Sequence, residues 1–169
     1  MKNTNRIGIG FIGGGFITRF HIKSLIGVRD CDVIGVMSKT RSSADESCAL
    51  SKELGVGEAK PYNSVTDMVS DPAINALWIC APNFTRLEIM EEIVNAIESG
   101  KGELIGIACE KPLGRNVKEA KQMLALAKKV DLLDGYLENQ VFAPSVTKGK
   151  EIIWERGAST TGRPYLARA

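Results

Sequence analysis

The 169-residue chain lacks a strong excess of charge of either sign, since 22 Lys and Arg residues offset 20 Asp and Glu residues and leave a net charge of +2. This balance provides no basic field for a nucleic acid and no acidic tail. No apolar run approaches the ~18 residues that a membrane-spanning helix needs. We expect no signal peptide before the first predicted strand. We therefore expect a cytoplasmic protein with neither nucleic-acid nor membrane partners.

Cysteine and histidine are also scarce. The four cysteines, Cys31, Cys48, Cys80 and Cys109, form no C-x-x-C pair, and His21 is the single histidine. This set offers no zinc-ligand spacing, so we predict no metal site and no disulfide. Cys80 and Cys109 lie in apolar runs, where a buried, reduced thiol is the ordinary state. We interpret the lone histidine as structural rather than catalytic.

Glycine, by contrast, is concentrated near the start of the chain. Residues 6–18 read RIGIGFIGGGFIT, which predicts a strand, a tight glycine turn and a helix. Gly13 suits the sharp turn. Gly15 has no Cβ and lets a pyrophosphate approach the backbone at the positive end of the helix. Thr18 stands where the G-x-G-x-x-G template has its third glycine. The run predicts a dinucleotide site, and a plain tight turn in another α/β protein is the alternative.

Apolar runs and amphipathic segments then alternate along the chain. Predicted strands cover 6–12, 32–37, 58–62, 76–81, 104–109 and 132–137, and predicted helices cover 16–27, 43–54, 64–70, 85–99 and 117–130. Ser64 and Asn116 are predicted to cap the helices that follow them. This alternation is typical of a parallel sheet covered on both faces. We predict an α/β fold, a doubly wound parallel sheet of about six strands, with a dinucleotide-binding domain over 1–142 and one more helix over 144–156.

Ligands of such a sheet bind beyond the carboxyl ends of its strands. The segments that fall there are Gly13–Thr18, Ser38–Arg41, Ala81–Arg86, Cys109–Pro112 and Glu138–Gln140. Within the third segment, Asn83 is predicted to cap the helix that begins near Thr85 rather than to contact a cofactor. Glu138 and Asn139 either line the pocket or are exposed, and the pattern does not choose between these positions.

The loop after the second predicted strand has no acidic residue. It reads Ser38-Lys39-Thr40-Arg41, where an NAD-binding sheet usually places Asp or Glu to bind the adenosine ribose. No carboxylate is present to repel a ribose 2′-phosphate, and two cations and two hydroxyls are available to bind it. NADP is therefore favoured over NAD. The alternative is that Lys39 and Arg41 are solvated loop charges.

The loop after the fifth predicted strand carries two opposite charges, in Glu110-Lys111-Pro112. A lysine at the carboxyl edge of the sheet can donate to a substrate hydroxyl or carbonyl, and its charge state responds to desolvation. Pro112 fixes the turn. A surface ion pair in a loop is the alternative interpretation.

Taken in order, IGFIGGGFITRFH with its His21, the A-P-N of Ala81–Asn83 and the E-K-P of Glu110–Pro112 resemble the Gfo/Idh/MocA family of NAD(P)-dependent sugar and polyol oxidoreductases. The resemblance implies a Rossmann domain and hydride transfer at a carbinol carbon. It places Lys111 beside the nicotinamide and the substrate, as the catalytic residue. The candidate cofactor-binding residues are Gly13, Gly14, Gly15, Phe16, Ile17, Ser38, Lys39, Thr40, Arg41, Ala81, Pro82, Asn83, Arg86, Glu110, Lys111 and Pro112.

The chain departs from the family pattern in three ways. Thr18 replaces the third glycine, Arg86 stands where the family often has histidine, and family members are longer. We expect residues 143–169 to begin a C-terminal α/β substrate domain, and this fragment to bind cofactor with little turnover. A sugar-like small-molecule substrate and a homo-oligomer are expected for the full-length protein. The alternative is a non-catalytic NAD(P)-binding module or sensor. Methyl transfer is disfavoured because Ser38 replaces the acid that S-adenosylmethionine binding normally uses.

Overall fold

Six parallel strands form one sheet in the structure, a computed structural model that describes residues 6–157, 160 and 162. The strands are β1 (Ile7–Ile12), β2 (Cys31–Met37), β3 (Lys60–Tyr62), β4 (Ala76–Ile79), β5 (Gly106–Glu110) and β6 (Leu133–Leu137). They lie in the order β3-β2-β1-β4-β5-β6, and all neighbours pair in parallel. This is the doubly wound order, so the predicted fold class is confirmed.

Five helices cover the two faces of this sheet. They are α1 (Phe16–Ser24), α2 (Arg41–Glu53), α3 (Val65–Val69), α4 (Arg86–Glu98) and α5 (Val117–Lys129). Helices α1 and α2 pack over one face and share a core with β1 and β2. Helices α3, α4 and α5 pack over the other face and share a second core with β4 and β5.

Strand β1 is buried on both faces. The consecutive residues Phe11 and Ile12 of this strand point to opposite faces of the sheet, because successive side chains of a strand alternate. Phe11 is 0% exposed and joins the core under α1 and α2, while Ile12 is 1% exposed and joins the core under α3 to α5. Burying each such side chain stabilises the fold by roughly 1.5–3 kcal/mol. The central strand therefore holds the glycine turn that follows it in a fixed position.

Two predicted helix caps are confirmed. Ser64 Oγ accepts a hydrogen bond from the backbone N–H of Asp67 at 3.0 Å. Asn116 Oδ1 accepts one from the N–H of Glu119 at 3.0 Å. In a capping box, the Glu119 carboxylate would accept a hydrogen bond from the backbone N–H of Asn116. Here it accepts instead from the backbone N–H and the guanidinium of Arg115, at 2.9 and 2.8 Å. Each cap satisfies an N–H that the helix itself leaves unpaired.

Several element boundaries differ from the sequence prediction. The helix predicted over 16–27 is α-helical only to Ser24 and tightens into a 3₁₀ turn over Leu25–Gly27. The third strand is limited to three residues, Lys60–Tyr62, since it lies at the sheet edge and Pro61 has no N–H to donate. The helix predicted over 43–54 begins two residues earlier, at Arg41.

The chain divides into two compact units, the first ending at Leu137 and the second beginning at Glu138. The second unit contains a 3₁₀ turn over Asn139–Phe142, helix α6 (Pro144–Lys150) and a π-helical segment over Glu151–Gly157. The helix predicted over 144–156 is thus split. In the described part of the chain, no helix is both long and apolar enough to cross a membrane. The four cysteines are free thiols, and the described residues hold no cluster of three metal-ligating side chains.

Candidate functional site

A cleft of about 610 Å³ opens at the carboxyl ends of β1, β2 and β4. It lies where the strand order reverses direction between β1 and β4, which is the switch point at which doubly wound sheets bind ligands. Its walls come from the loops after those three strands and from the first turns of α1, α2 and α4. The lining residues are Ile12, Gly13, Gly14, Gly15, Phe16, Ile17, Met37, Ser38, Lys39, Ser43, Cys80, Ala81, Pro82, Phe84, Thr85, Arg86 and Ile89.

The glycine turn forms the floor of this cleft. Gly13 has φ +104°, and a Cβ there would lie 2.9 Å from the backbone nitrogen of Ala81. A Cβ on Gly15 would meet no atom within 4 Å. Helix α1 begins at Phe16 with no side chain capping its free N–H groups. Open space in front of uncapped N–H groups at a helix N-terminus fits a phosphate group, so these residues suit the pyrophosphate of a dinucleotide.

Packing also explains Gly14, in the turn, and Thr18, in α1. A Cβ on Gly14 would lie 2.6 Å from the carbonyl oxygen of Ser43 on α2. Sequence reasoning missed this close approach, because only the fold brings α2 against the turn. Thr18 is fully buried, and its hydroxyl donates to the Gly13 carbonyl at 2.6 Å. The residue that departs from the glycine template therefore braces the turn from within α1.

The two cations after β2 have different surroundings. Ser38 and Lys39 line the cleft. Arg41, the first residue of α2, donates to Asp45 at 3.0 Å and to Asn63 at 3.4 Å, and its guanidinium lies in solvent. Within the described residues Lys39 has no ion-pair partner. Lys39 therefore borders the cleft without an ion-pair partner among the described residues, whereas Arg41 lies outside the cleft lining and pairs with Asp45.

The loop after β4 differs from the prediction at Asn83. Ala81 and Pro82 line the cleft as expected. Asn83 does not cap α4, because the segment Asn83–Thr85 is a 3₁₀ turn that runs directly into the helix. A capping side chain must project from an extended residue just before the first helical turn, and Asn83 lies inside a turn instead. The predicted cap is therefore wrong.

The loop after β5 is built around a buried carboxylate. Glu110 is 6% exposed, and its Oε1 accepts from His21 Nε2 at 2.7 Å. Its Oε2 accepts from the backbone N–H of Lys111 at 3.0 Å. The Lys111 side chain is exposed. A surface ion pair between Glu110 and Lys111 is therefore not what forms, because the glutamate is buried against the histidine.

His21 joins the glycine-turn helix to this loop. Its ring meets Trp78 edge-on at a centroid distance of 4.9 Å and lies near Phe11 at 6.4 Å. The aromatic side chains and the Glu110 carboxylate together fix the orientation of the imidazole. The structural interpretation of His21 is consistent with this packing, but its contact with the E-K-P loop was not expected from the sequence.

Arg86 lines the cleft yet turns its guanidinium toward the protein. It is 4% exposed. Nε donates to the Ala81 carbonyl at 2.8 Å, and Nη1 donates to the carbonyls of Glu110 and Pro112. The arginine predicted to bind cofactor thus ties together the loops that follow β4 and β5.

The thiols near the site are protected from ionisation. Burial raises the pKa of Cys80, which lines the cleft, to about 12. Burial likewise raises the pKa of Cys109 to about 11. Both thiols stay protonated at neutral pH, so neither provides a nucleophile.

Six of the candidate cofactor-binding residues lie outside the cleft lining: Thr40, Arg41, Asn83, Glu110, Lys111 and Pro112. Thr40 precedes α2, Glu110 is the last residue of β5, and Lys111 and Pro112 begin the loop that follows it. Glu138, Asn139 and Gln140 belong to the second unit. There the Glu138 carboxylate accepts from the N–H of Gln140 at 3.4 Å.

The switch-point cleft, its glycine turn and the uncapped N-terminus of α1 define a dinucleotide-binding domain of the Rossmann class. Residues 7–133 match the model of the GFO_IDH_MocA family, described as an oxidoreductase family with an NAD-binding Rossmann fold. The chain belongs to this Gfo/Idh/MocA family, which confirms the resemblance inferred from its motifs.

Two curated proteins and one solved structure are similar to this chain. The 1,5-anhydro-D-fructose reductase of Ensifer adhaerens is 29% identical over 159 residues, which cover 94% of this chain and 43% of the relative. The myo-inositol 2-dehydrogenase of Thermotoga maritima is 29% identical over 160 residues, covering 95% and 43%. The structure of GenD2 from gentamicin A biosynthesis in complex with NAD has a TM-score of 0.75 at 22% identity, covering 91% of this chain and 40% of that one. The chain therefore spans less than half the length of these relatives.

Proposed function

We propose that this chain is the cofactor-binding part of an NAD(P)-dependent oxidoreductase that acts on a hydroxyl group of a sugar-like or polyol substrate. The observation that carries the proposal is the juxtaposition of a dinucleotide cleft with the Glu110–Pro112 loop on the adjacent strand. The names of the two relatives, an anhydrofructose reductase and an inositol dehydrogenase, support the substrate class. Residues 143–169 are proposed to begin the substrate domain, and a homo-oligomer is proposed for the full-length protein.

The glycine turn and α1 are proposed to hold the pyrophosphate. The open space beside Gly15 and the uncapped N–H groups at Phe16 and Ile17 support this role. Ala81 and Pro82 are proposed to form the opposite wall. When bound, the nicotinamide cofactor accepts or supplies the hydride.

Lys111 is proposed to donate a hydrogen bond to the reacting hydroxyl or carbonyl oxygen of the substrate. Its backbone N–H donates to the Glu110 carboxylate, and its side chain is exposed rather than buried in the fold. A positioned proton donor or acceptor of this kind contributes about 10²–10⁴-fold to rate. The side chain would stabilise the charge that develops on oxygen as hydride leaves or arrives at carbon.

NADP is proposed as the preferred cofactor. Lys39 borders the cleft, and no acidic residue stands in Ser38–Arg41 to repel a 2′-phosphate. Calorimetric titration with NADP and with NAD tests both parts of the proposal. Tighter binding of NADP is expected. Stronger binding of NAD would contradict the preference alone, and no binding of either below millimolar concentration would contradict the function.

The catalytic role of Lys111 is tested by Lys111→Ala in the longest natural form of the protein. Turnover with inositols and sugar alcohols should fall at least about 10²-fold, while cofactor binding is retained. Lys118→Ala, the same substitution at an exposed lysine in the first turn of α5, is the matched control and should leave turnover intact. Unchanged turnover in Lys111→Ala, or none in the parent, would favour a non-catalytic NAD(P)-binding module.

A further inference from the structure

Arg86 is a buried cation whose hydrogen bonds go to carbonyl groups. Its Nε and Nη1 donate to the carbonyls of Ala81, Glu110 and Pro112, and Nη2 lies 3.5 Å from the carbonyl of Lys111. Among the described residues it forms no ion pair with a carboxylate. One side chain at the start of α4 therefore connects two loops whose sequences lie more than twenty residues apart.

The guanidinium is chemically suited to this task. It presents five N–H donors in a rigid plane and can serve several acceptors at once, whereas a lysine ammonium is a compact charge on a flexible stem. Carbonyl oxygens that converge without a donor between them would repel one another and remain unsatisfied away from water. The two loops can therefore hold these carbonyls close together only while a multidentate donor lies between them.

We propose that Arg86 is a positioning residue that locks the Glu110–Pro112 loop to the cleft wall at Ala81 and Pro82, and so sets where Lys111 stands relative to the cofactor. This inference rests on the proposed role of Lys111. Arg86 acts through the two loops, because the N–H groups of Nε and Nη1 are already used by carbonyls and are not available to a cofactor.

Hydrogen–deuterium exchange of the protein without cofactor tests directly whether Arg86 holds the two loops together. The N–H groups of Thr85 and Lys111 are bonded to the Pro82 carbonyl and to Glu110 Oε2, at 3.0 Å each, so both loops contain protected amides. In Arg86→Lys, peptides covering 80–86 and 110–114 should both exchange about tenfold faster, with other peptides unchanged. Arg29→Lys, the same substitution at an exposed arginine just before β2, is the control and should exchange as the wild type does.

Chemical rescue separates positioning from general stability. In Arg86→Ala, low millimolar guanidinium chloride should restore slow exchange in both peptides and recover cofactor affinity several-fold, while an equal concentration of KCl should not. A variant that is merely less stable would not be rescued by this ion, because guanidinium weakens the folded state elsewhere.

A measurement on the wild type keeps the inference testable if neither variant folds. As urea is added, peptides 80–86 and 110–114 should open with the same free energy and the same denaturant dependence, as one unit. Independent opening of the two loops, faster exchange of only one in Arg86→Lys, or equal rescue by KCl would overturn the inference. Failure of the wild type to bind NADP or NAD would instead overturn the proposed function, without contradicting the positioning role of Arg86.

Discussion

His21 Nε2 lies 2.7 Å from Glu110 Oε1, which joins the helix that follows the glycine turn to the loop that carries Lys111. Both side chains are largely withdrawn from solvent, at 15% and 8% exposure. The Glu110 carboxylate therefore depends on this histidine and on the Lys111 N–H for its hydrogen bonds. Without His21, the Glu110 carboxylate has one hydrogen-bond donor fewer in surroundings that solvate it poorly.

We expect His21→Ala to lower the free energy of unfolding by about 2–3 kcal/mol, because a buried carboxylate loses a donor. A double-mutant cycle with Glu110→Ala, measured by urea unfolding, should show a coupling energy above about 1 kcal/mol. The exposed Arg6–Asp32 pair, at 2.6 Å, provides the control; its coupling should stay below about 1 kcal/mol. Equal coupling in the two pairs would contradict the importance of burial.

Gly14 and Gly15 should respond in opposite ways to alanine. Gly14→Ala should lose about 1–3 kcal/mol of stability, because the new methyl group meets the Ser43 carbonyl. Gly15→Ala should change stability by less than about 0.5 kcal/mol, since the position is open. It should nevertheless weaken cofactor binding about tenfold or more by filling the space proposed for the phosphate. Thermal unfolding measures the stability of both variants, and calorimetric titration measures their cofactor binding. Unimpaired binding in Gly15→Ala would mean that the phosphate binds elsewhere.

Adding an acid after β2 should shift the cofactor preference. Ser38→Glu puts a carboxylate at the cleft wall beside Lys39, and its repulsion of a 2′-phosphate should raise the Kd for NADP about tenfold. Binding of NAD, which lacks that phosphate, should be unchanged or tighter. Ser38→Gln, of the same size without charge, is the control. Parallel losses for both cofactors in Ser38→Glu would indicate a steric effect instead.

The Asp71 carboxylate should contribute to acid stability. Hydrogen bonds from Lys60 and then Tyr62, at 2.8 and 2.7 Å, lower the pKa of Asp71 from 3.8 to about 2. A depressed folded-state pKa stabilises the fold above the unfolded value, and the contribution is lost as pH falls through about 2. The stability difference between wild type and Asp71→Asn should thus be constant above about pH 5 and shrink toward pH 2. Urea unfolding across this range measures it, and a difference that persists at pH 2 would contradict the assignment.

The Tyr62 phenol should affect the stability of the fold at alkaline pH. Burial, with a smaller effect of Asp71, raises the pKa of Tyr62 to about 12. Because the folded state favours the neutral phenol, this contribution is complete below about pH 10 and is lost as pH rises through about 12. Tyr62→Phe should therefore remove part of the loss of stability seen at alkaline pH. Unfolding experiments between pH 8 and 11 would show the effect as a flatter stability profile.

Much of the fold could be predicted because its signals are local. Near-continuous apolar strands, amphipathic helices and caps such as Ser64 and Asn116 are properties of short segments. The glycine turn is local too, since the backbone at Gly13 has a positive φ that glycine adopts most easily. Asn83 shows the limit of this reasoning. Asparagine before a helix fits a cap, but Asn83 is itself part of a 3₁₀ turn and therefore cannot cap α4.

The sequence by itself determined the class of fold, the position of the cleft at the strand ends and the family. The tertiary structure decided what surrounds each candidate residue. His21 and Glu110 are 89 residues apart in the chain, and Arg86 reaches carbonyls on two loops. Such contacts depend on how helices and strands pack, and no residue pattern within one segment encodes them. The structure thus shows the Arg86 guanidinium, predicted to bind cofactor, donating to the carbonyls of two loops. It likewise pairs the Glu110 side chain with a histidine and not with the side chain of Lys111.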